Sequence, residues 1–287
     1  MKFHIITAMY NVEEWIVENI GFLKEQTYPN FQVILVDDIS TDNTVKLVRA
    51  AIQGDDRFRL IINQEKKFKT RNVVEAIEAA NPSDEDVIVM VDGDDRLAHK
   101  DVLKKLESVY RQQDCWMTYG SFCDSQGVRF NRCGAYKKSI IESNRFRHSY
   151  WLGFHLKTFK YNLWTKLNTN IFQVTDSEIK SALMRAVSRL QFRRWRQWKN
   201  IKAADLHDAS GKYIIRVDDK AFSFPMLEIS GEKACFIDEV LYLFRTERTP
   251  YGGPDQNYGT NKSEKWHTRL IRDILSHKKP YERLDQL

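Results

Sequence analysis

Residues 87–95 read VIVMVDGDD, five apolar residues that open without a spacer into Asp92-Gly93-Asp94-Asp95. A short, β-branched run bounded by turn residues predicts a buried strand. A strand ending in three carboxylates within four residues crowds like charge, and a hard divalent cation with oxygen ligands relieves it. Asp-Gly-Asp is also ordinary turn chemistry, so the pattern on either side must decide between the two.

Toward the N-terminus, FHIITA (residues 3–8), FQVILV (31–36) and RFRLII (57–62) predict three more strands. Helical patterns lie between them at residues 13–26, around Val45, Leu47 and Val48, and at residues 70–80. Ser40-Thr41-Asp42 offers the N-cap of the second helix. Strands alternating with helices imply βαβ units, a parallel sheet and ligands at the carboxyl ends of the strands. Those ends carry Tyr10-Asn11, Asp37-Asp38 and the acidic tip, so three polar clusters share one rim. Downstream, residues 102–110 and 219–229 predict helices, and 115–122 and 235–244 predict strands. An aromatic stretch runs from Tyr150 to Trp164, and a loop with Gly252-Gly253-Pro254 precedes a final helix at 265–276. There is no internal repeat.

Composition narrows the class. With 287 residues, 42% hydrophobic and 12% aromatic, the chain is globular rather than disordered. It lacks an apolar run of ~18 residues, which excludes a membrane helix, and the polar Tyr10-Asn11 pair interrupts any signal-peptide core. The expected location is cytoplasmic, with a peripheral membrane contact as an alternative. Lys and Arg number 45 against 39 Asp and Glu, a net +6. Residues 180–202 hold eight basic residues and no acid, so the rest of the chain sums to −2. Ile179, Leu183, Val187 and Leu190 recur there at helical spacing, predicting a basic amphipathic helix. It suits an anionic membrane surface, nucleic-acid phosphates, or a helix packed on the fold with its cations in water. Gln191 to Trp195 spells Q-x-x-R-W, which resembles a motif of processive polysaccharide synthases; there it is accompanied by membrane spans, which this sequence does not show, so the match is read as coincidence. Cys115, Cys123, Cys133 and Cys235 form no C-x-x-C pair, and their spacing is poor for zinc, so reduced structural thiols are expected.

Residues 3–16 (FHIITAMYNVEEWI), 26–44 (QTYPNFQVILVDDISTDNT), 70–77 (TRNVVEAI) and 89–95 (VMVDGDD) resemble, in order and spacing, the signatures of family 2 glycosyltransferases with the GT-A fold. YGSF, HLKTFKYNLW and DDKAFSFPMLEISGEKACFIDEVLYLFR resemble that family's acceptor-side half. The resemblance implies an α/β fold with a nucleotide-sugar-binding half at 1–125. An acceptor half at 126–246 would carry the basic insertion at about 176–202, followed by a tail at 247–287 that covers the site or supports oligomerisation.

By the same resemblance, the backbone of Thr7 and Ala8 and the side chains of Tyr10, Asn11 and Glu13 frame base and ribose. Asp38 accepts from the base, which suits uracil, and Arg71 faces base or diphosphate. Asp92 and Gly93 reach ribose or metal, and Asp94 is the main ligand of Mn²⁺ or Mg²⁺. Asp219, or its neighbour Asp218, deprotonates the acceptor hydroxyl for in-line, inverting attack. Trp151 and His155 are acceptor-side candidates, and His99 reads as an exposed helix-start residue. Ala8 and Ile39 stand where the family often has proline and glycine. The implied reaction moves a sugar from a nucleoside diphosphate donor, UDP-linked by preference, to a glycan or lipid-linked acceptor in surface glycan assembly. Glycosylation of a DNA base is the alternative within that chemistry. A nucleotidyltransferase or a non-catalytic nucleotide or nucleic-acid binder is the alternative outside it, although Tyr10-Asn11-Val12-Glu13 is no Gly-rich phosphate loop.

Overall fold

In a computed structural model describing residues 1–246 and 262–287, strands and helices alternate as the apolar pattern dictates. β1 (Phe3–Met9), α1 (Ile16–Lys24), β2 (Phe31–Asp37), α2 (Thr44–Ile52), β3 (Phe58–Ile62), α3 (Phe68–Ala80) and β4 (Val87–Met90) form the first half. β5 (Arg96–Leu97), α4 (Val102–Gln112), β6 (Met117–Asp124), α5 (Lys138–Glu142), β7 (Lys157–Lys160) and α6 (Tyr161–Thr165) follow. α7 (Asp176–Ser188), α8 (Phe192–Trp198), α9 (Asp218–Ser230), β8 (Ala234–Phe244) and α10 (Lys262–His277) complete the described chain. The loop with Gly252-Gly253-Pro254 lies outside the described residues.

All eight strands join one mixed sheet in the order β3-β2-β1-β4-β7-β6-β8-β5. The first four are parallel, and β7 reverses direction against β4, opposing Lys157 to Met90. β1, β2 and β4 are buried on both faces, which is why they read as unbroken Val/Ile/Leu runs. Their alternate residues feed two layers. Ile5, Val33 and Val89 pack with α1 and α4 (Ile16, Leu103), whereas Ile6, Ile34 and Met90 pack with α3, α9 and α10 (Ile77, Phe222, Leu270).

α9 is held from below by a buried ion pair. Arg147, on a 3₁₀ turn at Phe146–His148, donates through Nε to Glu228 Oε1 at 2.5 Å and through Nη2 to Oε2 at 2.8 Å. Its Nη1 reaches the Leu275 carbonyl at the end of α10, and the Tyr281 N–H adds a third donor to Glu228. The Arg147–Glu228 pair therefore ties α9 to α10 through the guanidinium and to the C-terminal residues through the carboxylate.

Three local expectations are corrected. The second helix starts at Thr44 with Asn43, not Ser40, Thr41 or Asp42, at the N-cap position; Asp42 Oδ1 accepts from the Thr44 N–H just outside it. Residues 180–202 are not one helix. α7 ends at Ser188, Leu190 turns left-handed (φ 55°), and α8 begins at Phe192. The buried stripe of α7 is Ile179, Ala182 and Ala186, while Val187 and Leu190 face outward. Finally, Cys115 and Cys235 are disulfide-bonded, not reduced, because parallel pairing of β6 with β8 brings together residues 120 apart in sequence. Cys123 and Cys133 are free thiols.

Two stability predictions follow from these contacts. Arg147→Met strands Glu228 as a buried unpaired charge and lowers unfolding stability by about 3–5 kcal/mol, measurable as a fall in the urea midpoint. Ile39 is a β-branched residue at φ 59° on an exposed corner. Ile39→Gly should therefore raise unfolding stability by up to about 1 kcal/mol, the left-handed penalty it removes, read as a higher urea midpoint.

Candidate active site

The rim where the parallel strands end is built on one close contact. A Cβ on Gly93 would lie 2.7 Å from the Met9 Cβ and 3.4 Å from the Ala8 carbonyl, so only glycine lets the tip of β4 settle against β1. Asp92 and Asp94 flank that glycine, and their charges then diverge. Lys69, from the first turn of α3, sits 2.7 Å from Asp92 Oδ1 and 2.9 Å from Oδ2. Asp95 turns inward, accepting from Tyr242 Oη at 2.7 Å and from the Arg245 N–H at 2.8 Å. Tyr242 Oη also accepts from the Asp92 N–H, and Arg245 Nε donates to the Asp94 carbonyl.

These surroundings split the titration of the tip. Burial works against ionising Asp92, but the Lys69 ammonium outweighs it and holds the carboxyl at about 2. Burial beside Asp94 and Asp92 pushes Asp95 up to about 8, so it is protonated at neutral pH. The crowding read from the sequence is thus partly relieved by a lysine, a tyrosine and a retained proton.

Lys69 also reaches Asp218 Oδ2 at 3.3 Å, in the first turn of α9. Burial raises the Asp218 carboxyl, with Asp219 and Asp92 adding to the effect and Lys69 opposing it. Asp219 is half-exposed and accepts no hydrogen bond from a described residue. Lys157, buried on β7, has its pKa lowered by burial and pulled back up by Asp219. His155 stacks on the Tyr242 ring (centroids 4.4 Å apart, 10° between planes), and burial keeps it neutral. Trp151 packs edge-on to Phe224, and the Lys220 ammonium lies over its ring at 5.3 Å. The structure therefore gathers Asp92, Gly93, Asp94, His155, Asp218 and Asp219 at one corner, with Trp151 beside the start of α9.

The remaining predicted residues are engaged within the fold. Thr7 is fully buried in β1 and Ala8 lies at the rim. Asn11 holds the loop after β2 by accepting from the Thr41 N–H, and Glu13 accepts from the Asn43 N–H at the start of α2. Tyr10 carries the Lys66 ammonium over its ring. Asp38 accepts from the Lys67 and Phe68 N–H groups and from Asn63. Arg71 is shared among Glu65, Glu75 and Asp208. His99 pairs with Glu239 at 3.4 Å.

Sequence reasoning missed Lys69, Lys157, Tyr242 and Arg245. Lys157 had one signal, its place inside HLKTFKYNLW, a stretch that resembles the family's acceptor-side half. Tyr242 and Arg245 had none, because their partners lie about 150 residues away.

Among the described residues no three His, Cys, Asp or Glu side chains converge as a metal cluster. Asp92 and Asp94 still suit Mg²⁺ or Mn²⁺, which commonly binds through one or two carboxylates and completes its shell with phosphate and water oxygens.

Comparison with known proteins agrees with this geometry. The model of "Glycosyl transferase family 2" matches residues 4–172. An uncharacterized glycosyltransferase of Haemophilus influenzae is 30% identical over 151 residues, 50% of this chain and 58% of that one. Poly(ribitol-phosphate) β-N-acetylglucosaminyltransferase TarS of Staphylococcus aureus is 32% identical over 111 residues, covering 36% of this chain and 18% of that one. Across H. influenzae, Streptococcus pneumoniae and Bacillus subtilis relatives the matched part spans 58%, 38% and 33% of their lengths. Among solved structures, S. aureus TarS 1–349 in complex with UDP-GlcNAc superposes with TM-score 0.55 at 15% identity, over 94% of this chain and 65% of that one. The Pyrobaculum calidifontis mannosyltransferase PcManGT, in complex with GDP-Man and Mn²⁺, gives 0.52 at 15% identity over 96% and 70%. At such identities these two likenesses speak for the fold alone. With its family model covering more than half of its length, a mixed sheet shared with GT-A enzymes and an acidic tip at the sheet's rim, this chain belongs to glycosyl transferase family 2.

Proposed function

We propose that this protein transfers a sugar from a UDP-linked donor to a hydroxyl of a cell-surface glycan or its lipid-linked precursor, with inversion at the anomeric carbon. The observation that carries the reading is the Lys69 ammonium between Asp92 and Asp218. It puts the acidic tip of the nucleotide-type sheet and the first turn of α9 at one corner, as a single-displacement reaction requires.

Asp92 and Asp94 would hold Mn²⁺ or Mg²⁺, which supplies Lewis-acid neutralisation of the departing diphosphate. Lys69 adds a fixed positive charge on the same side. Asp219 is the proposed base: Asp218 is tied to Lys69, whereas Asp219 is half-exposed and able to take the acceptor proton. Lys157, buried on β7 and close enough to feel the Asp219 charge, would place a complementary cation beside that carboxylate. Trp151, beside the start of α9 with Lys220 over its ring, remains the acceptor-side candidate. The names of relatives support the donor and acceptor class: TarS is described with UDP-GlcNAc and as a poly(ribitol-phosphate) glycosyltransferase, and PcManGT with Mn²⁺. The wider family assignment leaves the nucleotidyltransferase reading without support, and nothing at the site favours a DNA base as acceptor.

A panel of nucleotide sugars, assayed for Mn²⁺- or Mg²⁺-dependent release of the nucleoside diphosphate, tests the donor class; no release from any UDP-sugar would sink it. Asp94→Ala should abolish both metal-dependent UDP binding and turnover, and wild-type activity in that variant would remove the metal assignment. Asp219→Asn should keep UDP binding while lowering kcat on the order of 10³-fold, the scale of a lost general base. If Asp218→Asn alone gave that pattern, the base would be Asp218.

A further inference from the structure

The hairpin of α7 and α8 carries a feature that sugar transfer does not use. Its inner side is fixed: Ile179, Ala182, Ala186 and Trp198 are buried, Arg185 binds Asp273 of α10 at 2.6 Å, and Glu178 binds Lys278 at 2.8 Å. Its outer side exposes large apolar residues: Leu190 at 76%, Met184 at 60%, Phe192 at 55%, Val187 at 43% and Trp195 at 36%. Leu190 sits at the tip, held there by its left-handed backbone and by the Gln191 N–H bonding back to the Ala186 carbonyl. Behind the tip, an open groove of about 360 Å³ runs between the helices, lined by Lys180, Leu183, Met184, Val187, Ser188 and Trp195. Around it stand Lys180, Arg189, Arg193, Arg194, Arg196 and Lys199, all exposed and none in an ion pair with a described carboxylate. Lys199 lies over the Trp195 ring at 5.2 Å.

We propose that this hairpin docks the protein on an anionic lipid bilayer, with Leu190, Phe192 and Met184 entering the headgroup layer and the surrounding arginines and lysines pairing with lipid phosphates. Charge complementarity selects the partner. Residues 180–202 hold eight basic residues and no acid, so the same face of a second copy of the chain would be repelled from it. A nucleic acid would engage the cations and Trp195, but would gain nothing from aliphatic side chains at the tip. A bilayer uses both, because apolar insertion and attraction to anionic headgroups add. Exposed and rigidly backed, the tip would enter without first rearranging the fold.

The test is sedimentation of the full chain with vesicles of phosphatidylcholine, with and without phosphatidylglycerol, at low and high salt. It needs neither donor nor acceptor, so its outcome is independent of the catalytic reading. Wild type should favour the anionic vesicles, and salt should weaken that preference. R193Q/R194Q/R196Q should lower partitioning on the order of 100-fold, since each cation near an anionic surface contributes about fivefold. L190N/F192S should lower it roughly tenfold or more while leaving any retention on single-stranded DNA unchanged. All five side chains are exposed, and circular dichroism checks that the variants keep the fold. Equal binding to both vesicle types, wild-type binding by L190N/F192S, displacement of vesicles by DNA with that variant unaffected, or self-association through this face without vesicle binding would each overturn the proposal.

Discussion

The ammonium of Lys69 is the point on which the site turns. It touches Asp92, at the end of a parallel strand, and Asp218, at the start of a helix 126 residues further along the chain. Without a cation at that corner, two carboxylates from separate halves of the molecule would face each other across a partly desolvated gap, and their repulsion would push α9 off the rim. With it, the strand end and the helix start share one bridging cation. The Arg147–Glu228 pair performs the corresponding task at the other end of α9, so the helix is pinned at both ends by ion pairs and its apolar middle is free to fill the core.

Those pins explain what was and was not legible in the sequence. The first half of the sheet was readable because its strands are buried on both faces and its helices show one apolar stripe each; the pattern is local and the registers follow from it. Asp92 and Asp94 were readable as charges crowded at a strand end, whereas Asp218-Asp219 stood out only through the family resemblance. Lys69 was not, because a lysine two residues from Arg71 looks like one more exposed helix cation until the fold sets it opposite Asp92. Arg71, which the family resemblance points toward the donor, instead holds three carboxylates of its own. β7 was missed because four residues inside an aromatic stretch carry too few alternations to stand out.

The basic segment shows a different limit. Ile179, Leu183, Val187 and Leu190 keep helical spacing in the sequence, but spacing does not say which side is inside. The buried stripe of α7 runs through Ile179, Ala182 and Ala186, so Val187 faces outward, and a left-handed backbone at Leu190 ends the hairpin's first arm with that side chain exposed as well. The cysteines fail for the same reason: the pairing of Cys115 with Cys235 depends on β6 and β8 lying side by side, a long-range fact with no local trace.

Segregating so much positive charge on one protrusion, while the remainder sums to −2, makes the molecule an electrical lever. Near any polyanion it experiences a torque as well as a pull, and physiological salt confines that torque to roughly the last 8 Å of approach. Encounters would thus begin unoriented and be aligned only at near contact. A hairpin tied to the fold by Arg185–Asp273 and Glu178–Lys278 suits this regime, since a loose one would absorb the turning force instead of passing it to the body that bears the acidic rim.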